Sequence, residues 1–157
     1  MLLSAMKVWI DADACPKMIK ETVFKVSARL KFKVILVANS YMNIPLSPLI
    51  EFVKVDQGAD VADLHIADNC EIEDLIITAD IPLASLIVEK GAVAINPRGE
   101  LYTEENISER LSVRNFMQDL RDSGMDTGGP PPLGPKDKER FTNAFDRIMT
   151  KLLKTRK

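Results

Sequence analysis

The apolar residues of this chain alternate between a strand-like and a helix-like spacing. Short β-branched runs that are apolar on both faces predict buried strands. These runs cover residues 7–11, 33–38, 74–79 and 92–95, with a weaker strand at 52–55. Helical spacing predicts helices from Pro16 to about residue 30, over 60–70 and over 82–90, with a short helix at 46–51. This alternation predicts an α/β fold with a mostly parallel central sheet.

The stretch after about residue 100 carries only helical patterns. Thr103 can cap a helix whose core side would carry Leu111, Met117 and Leu120. Ser112 offers a second helix start within the same stretch. We therefore expect helices, rather than further strands, to complete the fold, either as one helix or as two.

A loop rich in glycine and proline, residues 127–135, separates this region from a final helix over about 136–154. That helix is expected to bury four apolar side chains: Phe141, Phe145, Ile148 and Leu152. We expect one domain over residues 1–157, with a core of about 6–100 and a C-terminal helical extension of about 101–157.

Composition favours a cytoplasmic protein. The 157 residues are 46% hydrophobic and 28% charged, and no run approaches the roughly 18 apolar residues that a membrane span requires. Two cysteines, Cys15 and Cys70, make neither a disulfide framework nor a zinc motif. We expect a reduced cytoplasmic setting and no membrane association.

Charge is unevenly distributed along the chain. Residues 136–157 hold eight Lys or Arg against three Asp or Glu, whereas no Lys or Arg lies between Lys54 and Lys90. A solvated acidic face explains many of the acids in that second stretch. We assign five of them to the surface: Asp56, Asp68, Glu71, Glu73 and Asp74.

Two acids follow predicted strands. Asp11 ends the first strand and Asp80 follows a later one, and ligands of parallel sheets bind beyond the carboxyl ends of strands. Adjacent strands lie about 4.8 Å apart, so these carboxylates could share a Mg²⁺ or Mn²⁺ ion if their strands are neighbours. Asp13 either assists Asp11 or caps the helix that begins near Pro16.

Asp60 and Asp63 are three residues apart and would lie on one side of a helix. Capping by Asp60 and the helix dipole at Asp63 offer structural explanations for both. Nucleophilic catalysis has weaker support. His65 is the only histidine and lies in an apolar helical pattern, and the aspartates near Cys15 would oppose formation of a thiolate.

One resemblance is to the haloacid dehalogenase type of phosphatase. Its first motif, an apolar strand followed by Asp-x-Asp, resembles "VWIDAD", and its second, a strand ending in Thr or Ser, resembles "LIIT". The family places its last acidic motif after the Thr strand, whereas "GADVAD" precedes "LIIT" here. A phosphatase is therefore the lesser alternative.

A fuller resemblance is to PIN-like domains. "VWID", "DLHIA" and "ITAD" follow the PIN order of a strand ending in Asp, an acidic helix and a strand ending Thr-x-Asp. Over about residues 6–150 the chain is similar to the bacterial YaiI/YqxD family, a PIN-like group. The strings that carry this similarity are "WIDADACP", "VAN", "GADVAD", "ITADIPLA", "NPRGE", "RNFMQDLRDSG" and "TGGP".

This resemblance implies a three-layer α/β PIN-like domain and a metal-dependent nuclease. Asp11, Asp63 and Asp80 would be the catalytic metal ligands for Mg²⁺ or Mn²⁺, with Asp13 and Asp60 as further ligands. Many PIN domains carry one more acid between the second strand and the acidic helix. No motif marks a counterpart here, and Glu51 is the only acid before Asp56 in that stretch.

A substrate of RNA or DNA would also need positive charge to contact phosphates. Arg98, Asn39 and Lys17 are the predicted substrate contacts, and a structural salt bridge is the alternative for Arg98. A non-catalytic PIN-like module that binds RNA or a protein partner remains the second interpretation. The sequence leaves open whether the chain forms a homodimer.

Overall fold

The computed structural model describes residues 6–58, 60–128 and 132–154. Six strands are present: β1 Lys7–Asp11, β2 Lys33–Ala38, β3 Ile50–Lys54, β4 Leu75–Ile77, β5 Val93–Ile95 and β6 Leu101–Tyr102. Five α-helices accompany them: α1 Lys17–Leu30, α2 Val61–Asn69, α3 Ile81–Lys90, α4 Glu104–Asp122 and α5 Pro135–Lys154. A short 3-10 helix, Ala12–Ala14, follows β1.

The six strands form one sheet in the order β3-β2-β1-β4-β5-β6. Every neighbouring pair is parallel except β5 and β6, which are antiparallel. The chain order reverses between β1 and β4, and a crevice opens at such a switch point beyond the carboxyl ends of the strands. Asp11 and Asp80 follow these two strands, so the condition that their strands be neighbours is met.

Helices cover both faces of the sheet because alternate side chains of each strand point to opposite faces. Val8 and Ile10 pack in one apolar core with α1 and α5. Trp9 packs in the other core with α2, α3 and α4. The predicted α/β fold, with a mostly parallel sheet and C-terminal helices, is confirmed as three layers.

Local signals explain where several helices begin and end. Thr103 caps α4 with a reciprocal pair of hydrogen bonds to Asn106, as its position in the sequence predicts. Gly91 ends α3 at φ 96°, a left-handed conformation that favours glycine. Gly99, at φ 88°, lets the loop after β5 approach the backbone of α5, because a Cβ there would lie 2.7 Å from the carbonyl oxygen of Arg140.

Three local predictions are wrong. The predicted helix at 46–51 is absent, and β3 begins within it at Ile50. Helix α4 runs without a break through Ser112, so that residue starts no new helix. Met117 is exposed instead of buried, because α4 packs on the sheet layer mainly through its first turns, where Ile107 is buried. Of the "TGGP" string, residues 129–130 lie outside the described residues.

Asp74 corrects the surface assignment made from the sequence. Its side chain is fully buried, with 0% of its surface exposed. It accepts hydrogen bonds from the backbone N–H of Lys7, the indole N–H of Trp9 and the backbone N–H of Glu71, each at 2.9 Å. Asp74 therefore ties the start of β1 to the turn before β4.

Among residues 6–58, 60–128 and 132–154, no helix is both long and apolar enough to cross a membrane.

Candidate functional site

Asp11 lies at the carboxyl end of β1 and is 8% exposed. Asp11 lies two residues after Trp9 in the same strand, so both side chains point to one face of the sheet. Helices α2 and α3 cover that face. Its Oδ2 accepts a hydrogen bond of 2.9 Å from the hydroxyl of Thr78. Burial raises the pKa of the Asp11 carboxyl; the Thr78 bond opposes this, and the charges of Asp80 and Asp13 add to it.

Thr78 connects Asp11 to Asp80. Its Oγ1 accepts a hydrogen bond of 2.9 Å from the backbone N–H of Asp80 while its proton is donated to Asp11. Asp80 also caps α3, because its Oδ1 accepts the backbone N–H of Leu83 at 2.8 Å. From the sequence, Thr78 belongs to the "ITAD" motif, but no role is assigned to its side chain. The Thr-x-Asp spacing at a strand end is the signal that points to one.

Asp63 approaches the same point from α2. It is half-buried and lies close enough to Asp80 and Asp11 for their charges to act on its carboxyl group. Burial raises the pKa of Asp63 to about 7, and the charges of Asp80 and Asp11 contribute in the same direction. At neutral pH the Asp63 carboxyl therefore holds a proton part of the time, and a cation that took the place of this proton would reduce the repulsion among the three acids. We call Asp11, Asp63 and Asp80 the acidic cluster.

The acidic cluster carries no basic partner in the described part of the chain, since no Lys or Arg forms a salt bridge with its members there. Its donor atoms are all oxygens, which suits Mg²⁺ or Mn²⁺. Over the same described ranges, however, no three Asp, Glu, His or Cys side chains are grouped closely enough to hold an ion as they stand. The chemistry of the donors fits a divalent ion, and their placement would need adjustment to enclose one.

Asp13 and Asp60 flank the acidic cluster. The exposed Asp13 accepts the backbone N–H of Asn39 at 2.7 Å, so it fixes the chain leaving β2 instead of capping α1. Asp60 precedes α2 in a left-handed conformation, φ 67°, and its side chain makes no capping hydrogen bond. Its charge also raises the pKa of Asp63. Their predicted role as further ligands stays a prediction.

Comparison with known proteins identifies the family. The family model described as "Uncharacterized BCR, YaiI/YqxD family" matches residues 9–151. The chain belongs to the YaiI/YqxD family. A UPF0178 protein of Maridesulfovibrio salexigens is 57% identical over 148 residues, which cover 94% of this chain and 98% of the relative. One of Hydrogenovibrio crunogenus is 54% identical over 151 residues, covering 96% and 100%. No solved structure matches the chain.

The predicted substrate contacts of this YaiI/YqxD protein lie in different settings. Arg98 forms an ion pair of 3.0 Å with Asp137 at the start of α5, which favours the structural alternative for it. Asn39 follows β2, where its N–H binds Asp13 and its side-chain oxygen accepts from the Ser40 hydroxyl. Lys17 is exposed at the first position of α1. Contact of any of them with a nucleic acid stays a prediction.

Glu51 does not supply the additional acid of the PIN pattern. It lies on the exposed edge strand β3, beside Ile35 rather than at the carboxyl end of the sheet. Its carboxylate pairs with Lys33 at 3.1 Å. The acidic cluster of this YaiI/YqxD protein therefore relies on acids from other elements.

Cys15 and His65 do not form a nucleophilic site. Burial raises the pKa of the Cys15 thiol to about 12; Lys20 opposes this, and Asp11 adds to it. A thiol with such a pKa is not ionised at neutral pH. The His65 ring lies 6.2 Å from the ring of Trp9, in a packing contact on α2.

The raised pKa of Asp63 predicts a pH-dependent stability for this YaiI/YqxD protein. The folded state holds the Asp63 proton more tightly than the unfolded chain, so stability falls as pH rises from about 4 to about 7. Asp63→Asn should therefore stabilise the metal-free protein by about 1–2 kcal/mol near pH 8, an amount reduced because water screens this half-buried group. The gain should shrink toward zero near pH 4.

Urea denaturation of the wild type and the variant at several pH values measures this difference. Asp68→Asn is the matched control, because Asp68 is an exposed acid on the same helix. A variant that is no more stable than the wild type near pH 8 would contradict the expected repulsion within the acidic cluster.

Proposed function

We propose that this protein hydrolyses phosphodiester bonds of RNA or DNA with Mg²⁺ or Mn²⁺ held at the acidic cluster. The observation that supports this proposal is that carboxylates from β1, α2 and the N-cap of α3 lie near the switch point of a parallel sheet, close enough for their charges to raise the pKa of Asp63. Among the described residues none of the three has a salt-bridge partner. Membership of the YaiI/YqxD family and the resemblance of its motifs to PIN-like domains support the same chemistry.

The residues of the acidic cluster have distinct tasks in this proposal. When bound, the metal would lower the pKa of a water molecule and stabilise the charge that develops on the phosphate. Thr78 holds the Asp11 carboxylate in one orientation, and the N-cap bond does the same for Asp80. Asp63, whose pKa is about 7 without an ion, would give up its proton when the ion binds.

The test is hydrolysis of labelled single-stranded RNA and DNA by the purified wild type, with Mn²⁺ and with EDTA, beside calorimetric titration of Mn²⁺. We expect cleavage with Mn²⁺ and none with EDTA. We also expect a heat of Mn²⁺ binding accompanied by proton release near neutral pH, because the ion displaces the proton that Asp63 holds. Absence of Mn²⁺ binding, or equal cleavage in EDTA, would refute the proposal.

A second function has one observation in its favour. In the described part of the chain the acids are not grouped to hold an ion as they stand, which fits a PIN-like module that binds RNA or a protein without cutting. If the wild type bound RNA but neither bound Mn²⁺ nor cleaved the RNA, this second function would be favoured.

A further inference from the structure

Tyr41 presents an aromatic ring to solvent at the edge of the sheet that carries the acidic cluster. The residue is 80% exposed, although large aromatic side chains are usually covered. Two residues of β3 hold its position: the ring of Phe52 is centred 6.0 Å away, and the Lys54 ammonium lies 5.3 Å from its centroid. Tyr41 is thus a positioned ring with most of its surface open.

The register of the sheet places this ring near the acidic cluster. Asp11 is paired with Val37 across β1 and β2, and Tyr41 follows Val37 by four residues, a span of at most about 14 Å. The bond from Asn39 to Asp13 fixes the intervening turn beside the cluster. Lys54 pairs with the last residue of β2, so its charge lies at the same edge.

A groove lies between α1 and the 42–45 segment that follows Tyr41 in the chain. Its volume is about 490 Å³, within the range of small-ligand sites. It is lined by Lys17, Lys20, Glu21, Phe24, Met42 and Ile44. Two ammonium groups against one carboxylate give the groove a net positive rim over an apolar floor. Phosphates and bases are the groups that match such a rim and floor.

We propose that single-stranded nucleic acid binds across this edge, with one base stacked on Tyr41 and its phosphates contacting Lys54 and the lysines of the groove. This inference rests on the proposed function and names the form of its substrate. A base can cover the Tyr41 ring only if it is unstacked from its neighbours, which a duplex does not allow at low cost. Stacking on an aromatic ring accepts any base, so binding is independent of sequence.

The experiment measures fluorescence anisotropy of labelled oligothymidine and oligouridine of about 12 nucleotides, a length that spans such sites. EDTA is present, so that no strand is cleaved. Tyr41→Ala should weaken binding by about tenfold or more, whereas Tyr41→Phe, which keeps the ring, should stay within about threefold of the wild type. A duplex of the same length should bind at least about tenfold more weakly than the single strand.

Leu46→Ala is the matched control, because Leu46 is a fully exposed apolar residue of the same loop. Its binding should equal that of the wild type. Equal binding by Tyr41→Ala, equal affinity for duplex, absence of oligonucleotide binding, or an equal loss in Leu46→Ala would each overturn the inference.

Binding and cleavage fail separately in this design. With EDTA present, Asp80→Asn should bind the single strand at least as tightly as the wild type, because stacking on Tyr41 does not use the acidic cluster and the substitution removes a negative charge. Tight binding of single strands that depends on Tyr41, without Mn²⁺-dependent cleavage, would support the inference and refute only the hydrolysis. Cleavage by the wild type with unchanged binding by Tyr41→Ala would refute only the inference.

Discussion

Asp80→Asn is expected to lower Mn²⁺-dependent hydrolysis by at least about 100-fold, since metal stabilisation of the developing charge contributes several kcal/mol and each ~1.4 kcal/mol is a factor of about ten. The charge of Asp80 acts on Asp63, and Asp80 is linked to Asp11 through Thr78, so it is the central member of the acidic cluster. Removing its charge leaves the other two carboxylates without a shared neighbour for an ion.

Asparagine is chosen because it separates charge from fold. It is as good an N-cap as aspartate, so α3 should keep its first turn through the bond to Leu83. Initial rates on the same single strand, measured at saturating Mn²⁺, give the comparison. Asp68→Asn changes the same charge at an exposed position of α2 and should retain wild-type rates.

Hydrolysis by Asp80→Asn within about threefold of the wild type would place the reaction elsewhere, because losing a metal ligand cannot be that small an effect. Recovery of activity at much higher Mn²⁺ would instead show that Asp80 acts mainly in holding the ion. Asp11→Asn should lose hydrolysis to a similar extent. Its fold should be kept, because the remaining side-chain oxygen can still accept the hydrogen bond from the Thr78 hydroxyl.

The layered fold follows from local patterns in the sequence. Strands β1 and β2 are apolar on both faces because helices cover both, and the predicted bounds of each match the structure. The meeting of Asp11 and Asp80 follows from the same pattern, since parallel strands bring their carboxyl ends to one edge. That the strands before Asp11 and Asp80 are neighbours, however, is seen only in the structure.

Contacts between distant segments were not predictable in the same way. The apolar spacing of α4 predicts a buried Met117, but the neighbour that would cover it is absent among the described residues around that part of the helix. The exposed Tyr41 lies in a loop with no periodic pattern, and only the register of β2 and β3 brings Lys54 to its ring. Periodicity shows that a face is apolar without showing what covers it.

Asp74 is the clearest case of this limit. Its neighbours in sequence, Glu71 and Glu73, are exposed acids, and local pattern assigns all three to the surface. Burial of Asp74 depends on donors from β1, more than sixty residues earlier: the N–H of Lys7 and the indole of Trp9. The Asp74 carboxylate can be buried because a distant strand supplies its hydrogen-bond donors. No local sequence pattern encodes such a contact.

Asp74→Ala is accordingly expected to destabilise the protein by about 3–5 kcal/mol, because it leaves the indole N–H of Trp9 and two backbone N–H groups without their acceptor. Asp74→Asn keeps one acceptor oxygen and should cost about 1–3 kcal/mol. Urea denaturation at neutral pH gives both values from the transition midpoint, provided that the slope of the transition is unchanged.

The effect on stability should be separate from the effect on chemistry. Asp74 bonds the first residue of β1 and the acidic cluster begins at its last, four residues or about 13 Å away. Below its lowered melting temperature, Asp74→Ala should therefore hydrolyse at close to the wild-type rate, while Asp68→Ala should change stability by less than about 0.5 kcal/mol. An unpaired buried polar group usually costs about 1–3 kcal/mol of stability. If Asp74→Ala lowered the free energy of unfolding by less than about 1 kcal/mol, water would have to replace the lost acceptor.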